Sequence, residues 1–143
     1  MFAIQCDELE LLEAWSDADS ELRGRFDFPI SVETGASSTS VVYFEVEPGK
    51  HCGRHKHSAE EVLLILEGNA EAEVGDERGR ASRGGLVLVP AMVAHDVRNI
   101  GSETLRVVGF FSSAAVVTEV EERLEPMGTK MLVIGASEPA EIG

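Results

Sequence analysis

From Arg23 onward the chain alternates apolar and polar residues in short runs broken by turn formers, as half-buried strands do. Phe26 and Phe28 alternate with Arg25 and Asp27, and residues 41–46 form a β-branched and aromatic stretch that stops at Pro48-Gly49. Further strands are predicted over 51–57, 61–66, 70–74, 86–89, 94–98, 105–111 and 130–134. Glu67-Gly68-Asn69, Gly75-Asp76, Gly84-Gly85 and Asn99-Ile100-Gly101 punctuate them as turns. Residues 112–124 read either way. Val116, Val117, Val120 and Leu124 fit helical spacing, yet the β-branched residues suit a strand. Short strands with turns between them indicate an all-β barrel or sandwich.

The first 22 residues differ: they are acidic, and Asp7 followed by Glu10 has the spacing of a capping box. A short N-terminal helix is predicted there, with Leu11, Leu12 and Trp15 on its apolar side. A frayed tail is expected over 135–143. The expected organisation is one domain over 1–143, comprising the acidic segment 1–22, a barrel over 23–134 and the tail. A chain of 143 residues can bury a real core without disulfides.

Charge and cysteine usage narrow the partners. A formal net charge of −14 argues against nucleic acid and anionic membranes, which require clustered Lys and Arg. The longest apolar runs, 62–66 and 86–89, have strand length, so no membrane span is expected. Cys6 and Cys52 make no disulfide framework and suit a reducing compartment. Asp7, Glu8, Glu10 and Glu13 stand where a secretory signal would need a basic start and an apolar stretch. A cytoplasmic protein is the expectation, with a small molecule as its partner.

The chemistry concentrates in His55, His57, Glu61 and His95. Neutral imidazoles with one carboxylate are what a divalent first-row transition metal accepts. Side chains i and i+2 on a strand share a face about 6–7 Å apart, so His55 and His57 converge on one ion while Lys56 points away. Glu61 opens the next strand and returns beside them, and His95 arrives from a distant one. His51 shares parity with His55 but lies roughly 13 Å along an extended strand, too far to ligate the same ion. An unremarkable, partly exposed histidine is the expectation, with a place at the cavity mouth or a titration near neutrality as the alternative. Cys52 has the opposite parity and should face away from the metal. Glu61, Leu63 and Ile65 fall on the metal-facing side of their strand and Val62, Leu64 and Leu66 on the other. A strand apolar on both faces needs outside cover, from a second subunit or from the chain's own ends, and a homodimer is the expectation.

These spacings resemble the two motifs of the cupin superfamily, G(X)5HXH(X)3,4E(X)6G and G(X)5PXG(X)2H(X)3N. The first is matched throughout, from Gly49 through His55, His57 and Glu61 to Gly68. The second is matched at Gly84, Pro90, His95 and Asn99, with Met92 where the family has glycine. Methionine cannot cheaply take the positive φ that glycine permits, so the turn before His95 is expected to adopt another form. The resemblance covers 49–99 and implies a double-stranded β-helix, a jelly-roll-like barrel. It also implies His55, His57, Glu61 and His95 as ligands of one divalent transition metal, whether Fe, Mn, Ni, Cu or Zn.

Fold does not settle activity, because cupins include oxygenases, isomerases, decarboxylases, lyases and binding proteins. Three readings follow. The first is a dioxygenase-like oxidoreductase acting on a small organic substrate in an apolar pocket formed by Leu63, Ile65, Val97, Val42 and Phe44. The second is an isomerase, lyase or decarboxylase using the ion as a Lewis acid, for which no inward-facing base is evident. The third is a non-catalytic protein that binds a small ligand.

Overall fold

The computed structural model describes residues 1–135, and the tail expected beyond them lies outside that range. Twelve strands form two six-stranded antiparallel sheets. In chain order they are β1 (Leu12–Trp15), β2 (Arg23–Ile30), β3 (Ser40–Val46), β4 (His55–His57), β5 (Glu61–Glu67) and β6 (Asn69–Val74). Then come β7 (Glu77–Ser82), β8 (Leu86–Val89), β9 (His95–Asn99), β10 (Leu105–Phe111), β11 (Val116–Leu124) and β12 (Thr129–Ile134). One sheet has the order β1-β2-β3-β10-β5-β8, the other β12-β11-β4-β9-β6-β7. This all-β architecture is the one expected.

Period-two burial holds the sheets together. Along β5, Glu61, Leu63 and Ile65 are buried while Val62, Leu64 and Leu66 are only partly so. Leu63 and Ile65 join Val46, Val89, Val97, Leu105 and Val107 in the main core between the sheets. A second cluster, Val42, Ala59, Phe111 and Val116, and a third, Ala14, Leu22 and Leu124, continue it along the barrel. The outer face of β8 stays uncovered among the described residues, with Leu86 and Leu88 exposed.

The ambiguous stretch 112–124 resolves as strand β11, paired with both β4 and β12. Two predicted elements change. The N-terminal helix is only a 3-10 turn, Cys6–Glu8, and no side chain caps it. Leu12 and Trp15 lie instead in β1, where Leu12 pairs with Phe26 and Trp15 with Arg23. Tertiary pairing has overridden a local capping signal. The strand predicted over 51–57 shortens to β4, because Gly53 takes φ +95° and bends the chain. Strand β7 was not anticipated: Glu77-Arg78-Gly79-Arg80 lies at a sheet edge, exposed on both faces, and carries no apolar alternation.

Met92 departs from expectation in the opposite direction. It adopts the left-handed φ of +63° instead of reshaping the turn. Its N–H donates to the His57 carbonyl (2.8 Å), and its side chain is 54% exposed. The turn is held from outside, so methionine absorbs the strain. Left-handed backbone costs a non-glycine residue about 1–2 kcal/mol, partly offset by the greater unfolded-state entropy of glycine. Met92→Gly should therefore raise stability by about 0.5–1 kcal/mol, read from urea unfolding.

Candidate metal centre

The centre straddles both sheets. β4 projects His55 and His57 on one face, and His55 pairs directly opposite His95, the first residue of β9. Glu61 enters from β5 in the facing sheet. The ring centroids of His55, His57 and His95 lie 4.1–4.9 Å apart, and one nitrogen from each falls within 4.8 Å of the others. His95 and Glu61 are almost wholly buried, at 1% and 2% exposed. Lys56 points outward to Glu119 (3.5 Å), as strand parity requires.

Hydrogen bonding decides which nitrogen each ring presents. The Nδ1 of His55 meets the Gly53 carbonyl (2.6 Å), and that of His95 meets the Val93 carbonyl (3.0 Å). Carbonyls only accept, so both Nδ1 atoms carry protons. In the neutral rings Nε2 is then a bare lone pair. His57 Nδ1 meets the Thr118 hydroxyl at 2.7 Å. Glu61 Oε1 lies 3.4 Å from both His57 Nε2 and His95 Nε2. Glu61 Oε1 and His95 Nε2 are buried without a hydrogen-bond partner. Buried acceptors facing one another without a proton between them are costly unless a cation joins them. The three histidines could hold a metal ion, and the chemistry of the donor set fits one.

Electrostatics agrees. Burial, with the neighbouring His95 and His57, pushes His55 down to about 3, so it stays neutral. For Glu61, burial acts upward, but positive charge on the neighbouring His57 and His95 rings outweighs it and holds the carboxyl at about 2, so the pocket keeps an ionised carboxylate only where a positive charge faces it.

Two contributors lay beyond sequence reasoning. Thr118 reaches His57 from β11, 61 residues away. Gly109 in β10 leaves room for the carboxylate: a Cβ there would sit 2.2 Å from Glu61 Oε2 and 2.8 Å from Val42 Cγ1. The available signal was a glycine within an apolar strand, which marks a close approach.

A cavity of about 90 Å³ opens from the histidines between the sheets. Val42, Phe44, Leu63 and Val97 line it as expected, joined by Phe26 and Phe28, while Ile65 belongs to the core rather than the wall. Arg25 and Glu45 stand at its margin bound to each other (2.7 Å), with Arg25 also on Glu47 (2.6 Å).

The expectations for His51 and Cys52 need correction. His51 is buried, with Nδ1 at 2.6 Å from Asp96 and Nε2 at 2.8 Å from Asp19. Its hydrogen bond to Asp96 raises its pKa most, burial opposes, and Asp19 adds to the rise. Cys52 lines the cavity instead of facing away, because the bend at Gly53 breaks the strand parity. Burial pushes its thiol well above the usual range, which suits an inert residue. Asn99 touches no candidate ligand. It donates to the Val46 and Glu103 carbonyls, both at 2.8 Å, and ties the end of β9 in place.

The chain belongs to the cupin family, whose domain model matches residues 42–111. A Streptomyces coelicolor protein described as uncharacterized is 38% identical over 73 residues, 51% of this chain and 69% of that protein. The fold is shared with a predicted oxalate decarboxylase of Thermotoga maritima (TM-score 0.66, 17% identity, 78% of this chain and 99% of that one). It is also shared with the polyketide cyclase RemF of Streptomyces resistomycificus (TM-score 0.62, 18% identity, 78% of each chain). The Lactobacillus farciminis oxalate decarboxylase matches 76% of this chain at TM-score 0.64 and 22% identity. This chain spans only 32% of the length of that enzyme. At these identities the structural likeness establishes fold alone.

Two outcomes are expected. Gly109→Ala should displace Glu61 and lower metal affinity at least tenfold in a competition titration, with the fold retained by circular dichroism. Stability without metal should peak near pH 6.5. Below about 6.5, the ordinary histidine value, the unfolded chain binds a proton that folded His55 refuses until about 3, so stability falls with pH. Above it, folded His51 keeps a proton that the unfolded chain releases, and its contribution is lost as pH rises through its raised pKa. Urea unfolding at pH 5, 6.5 and 8.5 checks both signs.

Proposed function

We propose that this cupin is a metal-dependent oxidoreductase of dioxygenase type, acting on a small, weakly polar organic molecule. One observation carries the reading: a convergent set of buried lone pairs opens directly into a cavity walled by Phe26, Phe28, Val42, Phe44, Leu63 and Val97. In this reading His55, His57 and His95 hold the ion through Nε2, and Glu61 supplies the fourth ligand. Four protein ligands leave open positions, and a bound redox-active ion supplies oxygen activation and polarisation of a substrate oxygen there.

The chain's own residues do the rest. The Gly53 and Val93 carbonyls and the Thr118 hydroxyl hold the ligand rings in orientation. The apolar wall excludes water and selects a substrate with few charges. Arg25 and Glu45 neutralise each other at the margin, so the cavity offers no unpaired cation to a dianionic substrate. The same pairing disfavours Lewis-acid isomerase or decarboxylase chemistry, since among the described cavity residues no free acid or base stands ready to move a proton.

Elemental analysis of protein purified without added metal, followed by oxygen uptake over diketones, flavonols and thiols, tests this reading. Iron, manganese, nickel or copper with substrate-dependent oxygen consumption is expected. His55→Ala and His95→Ala should each lose metal and activity, while Lys56→Ala keeps both. Turnover without oxygen consumption would transfer the protein to the Lewis-acid class. A co-purifying small molecule without turnover would make it a binding protein.

A further inference from the structure

We propose that His51 is a positioning residue for the metal centre, wedged between Asp19 and Asp96 so as to set the Gly53 peptide that orients His55. The proposal rests on the metal-centre reading above and concerns a residue outside the ligand set.

Each link is a short contact. Asp96 follows His95 in β9, and its Oδ2 takes His51 Nδ1 at 2.6 Å. Its Oδ1 accepts from Gly53 N–H (3.0 Å), Val97 N–H (2.8 Å) and the Cys52 thiol (3.4 Å). On the other side of the same α-carbon, the Gly53 carbonyl receives His55 Nδ1 at 2.6 Å. One carboxylate therefore joins the strand carrying His95 to the bend that aims His55. Asp96 is largely sequestered and needs a partner of opposite charge, or its carboxylate turns toward water and releases the Gly53 amide. His51 is that partner. With a carboxylate on each ring nitrogen it donates twice, a geometry that suits the imidazolium.

The other end of His51 fastens the connector between β1 and β2. Asp19 holds Nε2 at 2.8 Å, His51 N–H donates to the Glu21 carbonyl (2.9 Å), and Arg23 N–H donates to the His51 carbonyl (3.1 Å). The connector ends in Leu22, which lines the cavity and packs so tightly on Gly53 that a Cβ there would lie 2.7 Å from its Cδ1. Gly53, at φ +95°, is thus set from two directions, by Asp96 through its amide and by Leu22 against its α-carbon. His51 braces both, holding Asp96 through Nδ1 and the connector through Nε2.

Co(II) is the probe, titrated into the metal-free full chain at pH 7 against a chromophoric chelator, with the visible spectrum of the bound ion recorded. His51→Gln should lose about 10–100-fold in Co(II) affinity and shift the visible bands, the usual effect of removing a group that orients a ligand. Leu105→Ala, a core change that removes none of these hydrogen bonds, serves as the control for destabilisation and should keep the wild-type affinity and spectrum. Folded His51→Gln protein with wild-type affinity and bands would overturn the proposal, as would equal losses in the control. If His51→Gln does not fold, Asp19→Asn carries the test. It keeps an acceptor on Nε2 without the charge and should lose affinity several-fold, and wild-type affinity there would overturn the proposal. Wild-type protein that takes up no Co(II) would overturn the metal-centre reading and this proposal together. Uptake undiminished by the His51 and Asp19 changes would overturn this proposal alone.

Discussion

A buried carboxylate from one sheet faces imidazole nitrogens from the other, and His55 and His95 have already committed their Nδ1 protons to carbonyls outside the cluster. That juxtaposition is the constraint around which the rest is arranged. Bringing Glu61 to 2% exposure beside these lone pairs costs several kcal/mol unless a positive charge meets it. The fold accepts that cost where it could have placed another leucine. Leu63 and Ile65, the next inward residues of the same strand, show what ordinary packing at this depth looks like.

Supporting contacts come from β9, β10, β11 and the turn before His95. Gly109 gives up a side chain so that the carboxylate fits. Met92 accepts left-handed backbone while its amide is held by the carbonyl of ligand candidate His57. Thr118 fixes His57 from β11, and Asp96 connects β9 with the bend at Gly53. Gly109, Met92 and Asp96 are local concessions, in strand propensity, backbone strain and buried charge, and all four residues act on a candidate ligand directly or through one intervening residue. Stability is held elsewhere, in the aliphatic layer from Val46 to Val107 between the sheets.

The wall of the cavity carries information that a shared barrel does not. The barrel is shared with an oxalate decarboxylase and a predicted one; in this chain aromatic and aliphatic groups line the space beside the histidines, and Arg25 is paired with two glutamates. The proposed substrate class rests on that wall, not on the barrel. A barrel built on period-two alternation can change every inward residue beside the ligands while keeping its sheet pairing.

Much of the centre was legible because its chemistry is written locally. His55 and His57 share a face by strand parity, Glu61 follows after one turn, and the framing glycines marked the bends. Leu63, Val97, Val42 and Phe44 were placed in the cavity wall by the same alternation. Parity failed where the backbone stops being extended: past Gly53 it misplaced Cys52 and left His51 partly exposed where it is in fact buried. Strand β7 escaped because a charged edge strand has no apolar face to announce it. Sequence alone thus determined the all-β class, the inward faces and the ligand candidates, since these depend on spacing along one strand. Tertiary structure alone decided that Gly109 lies beneath Glu61, that Thr118 meets His57, and that Asp19 and Asp96 close on His51. Those contacts depend on the register between strands distant in the chain, which no local pattern encodes.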